Sequence, residues 1–270
     1  MERLGWNVVF VMNITDIDDK IIVGARRDHL IKEFTKQHPS ISQSLVSKAT
    51  DAWAHYIKSC FSQYTHGLEG WEVFVAKVEG GEIQPLKSDQ KFALHLKTSK
   101  AAKNAIANAT IGIDSTTFLD STRDVIALHL DSMHSHSVTD PAIFRKFAAK
   151  WEQEFFKDCE LLNIKPPTVL TRVSEYVPEI IAYVEQIITN GYAYMDQGSV
   201  YFDSAKFHHT PGHCYAKLEP WSASNLELAA EGEGELADGA AKKRNPADFV
   251  LWKKSKSGEP FWDSPWGQVI

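Results

Sequence analysis

The chain has 270 residues, 43% of them hydrophobic and 24% charged, enough to bury a sizeable core as one large domain or two. Its formal charge of -6 gives no global electrostatic case for nucleic acid, although binding needs only a local basic face. Three cysteines (Cys60, Cys159, Cys214) are too few and too scattered for a disulfide framework. No apolar run approaches the length of a membrane span and the first residues lack a signal-peptide pattern, so a cytosolic address is expected.

From the amino end, residues 8–12 (Val-Val-Phe-Val-Met) form an uninterrupted apolar run that reads as a strand buried on both faces, as inside a parallel sheet. Its parallel neighbour and crossover helix must come from elsewhere, because residues 1–5 are too short to supply either. The run stops at polar residues, and Thr15 and Asp18 have the spacing of a capping box at a helix start. Such carboxyl ends of strands are where open α/β sheets bind ligands. Spacing alone leaves two readings open, a capped helix with acids at its positive dipole end or a ligand site.

Ile21, Ile22, Ala25, Leu30, Ile31 and Phe34 continue a helical stripe, weakened at Gly24 by about 1 kcal/mol relative to alanine. Leu45, Val46, Ala49, Ala52, Trp53, Tyr56 and Ile57 keep helical spacing, and residues 121–130 read as another capped helix. Residues 71–78 are ambiguous and open to a strand. Asp140-Pro141 restarts the pattern with an N-cap and a proline at the first helical position. Ile143, Phe144, Phe147, Trp151, Phe155, Phe156, Cys159 and Leu162 then lay an apolar stripe, expected in the core, along a helix ended by Asn163 and Pro166-Pro167. Ile180, Ile181, Val184, Ile187 and Ile188 mark a second helix stopped at Asn190-Gly191, and residues 192–195 and 200–202 flank a β-hairpin turn.

Several polar clusters invite functional readings. His208, His209, His213 and Cys214 gather in one loop, but structural zinc needs ligands that reach tetrahedral positions from separate turns, so a metal site there is disfavoured. Residues 133–136 (Met-His-Ser-His) read as a solvated turn. Residues 219–238 carry acids without a lysine or arginine and read as a mobile surface loop. Lys242, Lys243, Arg244, Lys253, Lys254 and Lys256 then interleave with Phe249, Trp252, Phe261, Trp262 and Trp266. That mixture fits either an RNA-contacting face or packed aromatics with a wet lysine face, and no spacing rule separates the two.

The run Asn-Ile-Thr-Asp-Ile-Asp-Asp-Lys-Ile-Ile at residues 13–22 resembles the segment after the first catalytic helix of cysteinyl-tRNA synthetases, class I enzymes that activate cysteine with ATP. Residues 243–260, Trp262 and Ser264-Pro265-Trp266-Gly267 resemble a second family segment, and residues 170–181 and 198–203 two more, in the family's order. The resemblance implies an α/β fold. It would be a partial Rossmann-type class I synthetase catalytic domain with a large, mostly helical insertion of the eukaryotic cytosolic type and a small β-hairpin region. Residues 1–32 would be strand and helix of the catalytic domain, 33–140 the insertion, 141–191 a helical pair, and 192–270 the hairpin, acidic loop and return segment. The sequence Lys253-Lys254-Ser255-Lys256-Ser257 looks like the lysine-serine ATP loop of such enzymes, but its flanks match a different family segment lying upstream of that loop.

The implied reaction is ATP-dependent conversion of cysteine to cysteinyl-adenylate, then transfer of the cysteinyl group to tRNA(Cys), with ATP as substrate and no membrane partner. By correspondence Thr15 lines the cysteine pocket, with Asn13 and Asp16 orienting the junction; the catalytic residues stay unassigned. The resemblance also implies zinc on the cysteine thiolate, a soft ligand that zinc prefers over a hydroxyl, but the family's ligands fall outside the matched segments, so none is expected in this chain. On this reading the chain is an internal fragment, expected to show no ATP-pyrophosphate exchange with cysteine in isolation and to retain no zinc. The alternative is a non-catalytic RNA-binding or interaction remnant; an adenylate-forming cysteine ligase with an amino sugar acceptor is opposed by the large helical insertion.

Overall fold

The computed structural model describes residues 4–65, 70–86, 89–222 and 243–269. Contacts divide the chain into two units, one of residues up to Ala25 and from His136 onward, the other spanning Arg26–Ser135.

The first unit is α/β. Strand β1 (Val11–Ile14) pairs in parallel with β2 (Val169–Arg172), Val11 opposite Val169 and Ile14 opposite Arg172. The parallel neighbour that β1 requires therefore comes from far downstream. Two expectations are corrected. The strand begins at Val11 rather than Val8, and it is not buried on both faces, since Val9 and Val11 are 62% and 58% exposed. The physical reason is that β1 has one strand neighbour among the described residues, so its apolar side chains keep access to solvent.

Helix α1 (Asp19–Gln37) is capped by Asp18, whose Oδ1 accepts from the Lys20 amide at 2.8 Å, so the cap is Asp18 and not Thr15. Four residues of extended and turning chain separate β1 from α1 and put Thr15 too early to reach the helix amides. Helix α6 (Pro141–Leu161) starts as its sequence predicts, Asp140 accepting from the Ala142 amide at 2.9 Å with Pro141 behind it. Its apolar stripe departs from expectation: Phe144 and Cys159 are buried, whereas Trp151, Phe155 and Leu162 are exposed. Gly24 has a packing reason, because a Cβ there would lie 2.9 Å from the Phe147 ring.

Helix α7 (Val177–Thr189) packs Val177 and Val184 with Val200 and Trp252 into the core of this unit. Strands β3 (Ala193–Asp196), β4 (Ser199–Phe202) and β5 (Phe249–Trp252) form an antiparallel sheet in that order. The β3–β4 turn is the expected hairpin, Gln197 and Gly198 both taking positive φ (49° and 90°), as a primed turn demands. The short helix α8 (Ser204–His209) follows, and β6 (Trp262–Ser264) and β7 (Gly267–Val269) make a last antiparallel pair.

The second unit is helical. After α1 come α2 (Gln43–Thr65), α3 (Trp71–Glu79), α4 (Phe92–Ala107) and α5 (Thr116–His134). Residues 71–78 are thus helix rather than strand, with Phe74 buried against Phe61 and Phe92. Helix α5 begins five residues before Ser121, at Thr116, whose amide donates to Asp114; Ser121 lies inside it and donates to the Thr117 carbonyl. Leu45, Ala49, Ala52 and Tyr56 of α2 meet Val125 and Ile126 of α5 in the core. Arg26 places its Nε 2.9 Å from Asp131, a buried pair that ties the amino end of this unit to α5.

His55 and His129 face each other across the α2–α5 seam with ring centroids 5.2 Å apart. Burial, with His55 nearby, pushes the His129 imidazole below its ordinary value of 6.5, and burial lowers His95 likewise. Asp51 opposes the shift at His129 and His134 adds to it; at His95 Asp89 and Asp124 oppose it and Lys91 adds to it. A depressed base takes up its proton more readily in the unfolded chain, so stability is complete above about pH 6.5 and falls as pH drops below it. Thermal melts between pH 7.5 and 5 should show a falling midpoint that is shallower in His129→Gln; equal slopes would exclude this histidine as the source.

Candidate active site

Both parallel strands end on the same side, and the chain leaving each end builds a cleft. Residues 15–18 lead from β1 into α1, and a single turn of 3-10 helix (Val173–Glu175) leads from β2 toward α7. The cleft, of about 630 Å³, is lined by Asp16 and Ile17 from the first junction, Arg172 and Ser174 from the second, Phe144 of α6 and Trp262 of β6. A cavity at the carboxyl ends of parallel strands is the position in which open α/β sheets take ligands.

The three expected site residues divide by role. Asn13 Oδ1 accepts from the Thr171 hydroxyl at 3.1 Å, a rung across the strand pair. Asp16 lines the cleft, but both of its carboxylate oxygens are engaged: Oδ1 accepts from the Ser174 amide at 3.0 Å and Oδ2 from the Ser174 hydroxyl. Thr15 is exposed at the junction, outside the lining of this cleft, and its hydroxyl has no hydrogen-bond partner among the described residues. Thus Asn13 and Asp16 are each bonded to the chain of β2 and beyond, and Thr15 is not.

Several residues that shape the site lay outside the sequence expectations. The Arg172 guanidinium grips Glu152 of α6 at 2.8 and 2.7 Å, a bidentate fork, and reaches Glu175 at 2.9 Å. Those bonds hold the Glu152 carboxyl below its usual range and push the Arg172 guanidinium further up. Lys253 meets Asp19 at 2.8 and 3.1 Å with both side chains nearly buried, joining the end of β5 to the first turn of α1. Asp248 is fully buried and accepts from the Tyr194 hydroxyl, the amide and hydroxyl of Ser204, and the Asn245 amide. It locks the turn before β5. Arg172, Ser174, Asp248 and Lys253 sit inside the segments that resemble the synthetases, whereas Glu152 had no local signal, lying on the polar side of an amphipathic helix.

The basic and aromatic stretch resolves mostly toward packing. Trp252 is buried, Trp262 and Trp266 pack beside it, and Lys253 is spent in its ion pair, while Lys254 and Lys256 are exposed. Lys242 and residues 223–238 of the acidic stretch lie outside the described residues. His208 and His209 fall on α8, and Cys214 is exposed. Among the described residues no group of three or more His, Cys, Asp and Glu is arranged to hold a metal ion.

This is an α/β protein with a cleft at the carboxyl ends of a parallel strand pair. The chain belongs to the family of class I (C) tRNA synthetase catalytic domains, whose profile matches residues 1–269. It is 38% identical to the cytoplasmic cysteine-tRNA ligase of Mus musculus over 97% of this chain and 30% of the relative. It is 39% identical to that of Homo sapiens over 97% of this chain and 34% of the relative, and 37% identical to that of Drosophila melanogaster over 99% and 35%. The chain therefore spans about a third of the length of these relatives.

Replacing Lys253 by methionine removes the Lys253 cation from the nearly buried Asp19 carboxylate. The unfolding free energy in urea should fall by about 3 kcal/mol. A loss below about 1 kcal/mol would show the pair to be solvated like a surface bridge.

Proposed function

We propose that this chain is part of a cysteine-tRNA ligase that activates cysteine with ATP to cysteinyl-adenylate and passes the cysteinyl group to tRNA(Cys), in the cytoplasm. The observation that carries the reading is the match of nearly the whole chain to ligases of that printed name, together with a site at the carboxyl ends of its parallel strands. Residues 33–140 are on this reading a helical insertion in the catalytic domain. The substrate residue is Thr15, whose unpaired hydroxyl can donate to or accept from the bound amino acid, and Asn13 and Asp16 hold it in place. Adenylate formation depends on positioning the cysteine carboxylate against the α-phosphate and on stabilising developing charge. This segment supplies the positioning. Exposed Lys254 and Lys256 suit phosphate contacts with the tRNA backbone, a sequence-independent attraction.

ATP-pyrophosphate exchange, measured on the protein as its gene encodes it, should depend on cysteine and discriminate against serine. Thr15→Val removes one hydrogen bond to the substrate and should raise KM for cysteine about tenfold, leaving KM for ATP unchanged. RNA binding without any cysteine-dependent exchange would favour the non-catalytic remnant and overturn the proposal.

A further inference from the structure

The geometry points to Ser174 as a positioning residue for the amino acid site, acting through Asp16 on Thr15; the inference rests on the function proposed above. Three side-chain rungs cross the β1–β2 pair, and all join residues 158 apart: the Thr168 hydroxyl accepts from the Phe10 amide, the Thr171 hydroxyl donates to Asn13, and Ser174 donates to Asp16. The third rung differs from the others. It lies beyond Ile14 and Arg172, where the backbone ladder has ended, so the ladder no longer fixes the chain there. Ser174 holds both oxygens of one carboxylate, with its amide and its hydroxyl, a two-point grip that sets orientation as well as distance.

The turn that carries Ser174 is itself held. Arg172 on one side of it bonds Glu175 on the other, and the same guanidinium is forked onto Glu152 of α6. The turn is therefore tied to α6 by charged bonds, and through its own backbone to the Ser174 grip on Asp16, the residue next to Thr15. Further along the same junction Asp18 caps α1 and Lys253 pins Asp19. Thr15 directly precedes this anchored run of carboxylates, and its own hydroxyl has no partner among the described residues. A displacement of about 1 Å at such a contact can lower the rate by about a hundredfold.

Ser174→Ala keeps the backbone donor and deletes the hydroxyl. In cysteine-dependent exchange it should raise KM for cysteine about tenfold while KM for ATP stays unchanged, and Ser174→Thr, which retains a hydroxyl, should restore most of the loss. Because Ser174 acts through Thr15, adding S174A to T15V should change KM for cysteine by less than about twofold. A merely structural serine would lower the melting temperature and the active fraction without this pattern. Should S174A fail to melt cooperatively, Asp16→Asn, which keeps the shape and removes the charge, replaces it in the same cycle. A wild-type KM in S174A with exchange intact, or additive effects with T15V, overturns this inference alone. Absence of cysteine-dependent exchange in the unmutated protein as its gene encodes it overturns the proposed function and this inference with it.

Discussion

The parallel pairing of Val11–Ile14 with Val169–Arg172 is the contact on which the α/β unit and its cleft depend. Parallel strands cannot be joined by a tight turn, so everything between them in sequence is crossover. Loop-closure entropy grows only with the logarithm of length, which makes so long a connection tolerable once the intervening chain folds on its own. The segment 26–135 has what such folding needs, a buried aliphatic core of its own, an aromatic cluster around Phe61, Phe74 and Phe92, and a buried Arg26–Asp131 pair. Only after that closure do the ends of the two strands lie side by side, and the cleft is made from what each chain does next.

What was legible from the sequence follows from which physical signals are local. The N-cap at Asp140, the stop at Asn190-Gly191 and the primed turn at Gln197-Gly198 are decided within a few residues and were readable. The segment after β1 was readable as a helix start, but its cap was misplaced by three residues, because a capping box describes spacing and not where the strand stops. Burial was the least legible quantity. The stripe of α6 and the run at 8–12 are apolar in the right rhythm, yet rhythm says which face is apolar and not what covers it, and Trp151, Phe155 and Val9 are exposed. Asn13, Thr15 and Asp16 were singled out by resemblance, and no short-range rule could have divided their roles, since the division depends on partners 158 residues away.

That division also explains why so many charged side chains near the cleft are not free to act. Asp16, Asp18, Asp19, Glu152 and Glu175 crowd the carboxyl ends of two strands and the start of a helix, and an acid there could bind a cation, take a proton or stabilise the helix dipole. Each is instead engaged, by Ser174, the Lys20 amide, Lys253 and Arg172. Acids committed in this way resist protonation where the structure shows it, at Glu152, and rigidify the loops that carry them. The result is a set of fixed carboxylates, of which Asp19, Glu152 and Glu175 face a cation while Asp16 and Asp18 accept from neutral donors.

Such an arrangement suits recognition by position better than catalysis by proton transfer. A general base must be free to approach its proton, and the Asp16 and Glu152 carboxylates beside the cleft are already held in place by Ser174 and Arg172. A substrate whose reaction is accelerated mainly by alignment has no such requirement. It needs donors and acceptors that do not move when it binds, so that no reorganisation is spent at the moment of reaction. The latch at Ser174, the fork at Arg172 and the pinned helix start at Asp19 provide that stillness. They anchor the residues that follow Thr15, whose own hydroxyl has no partner among the described residues.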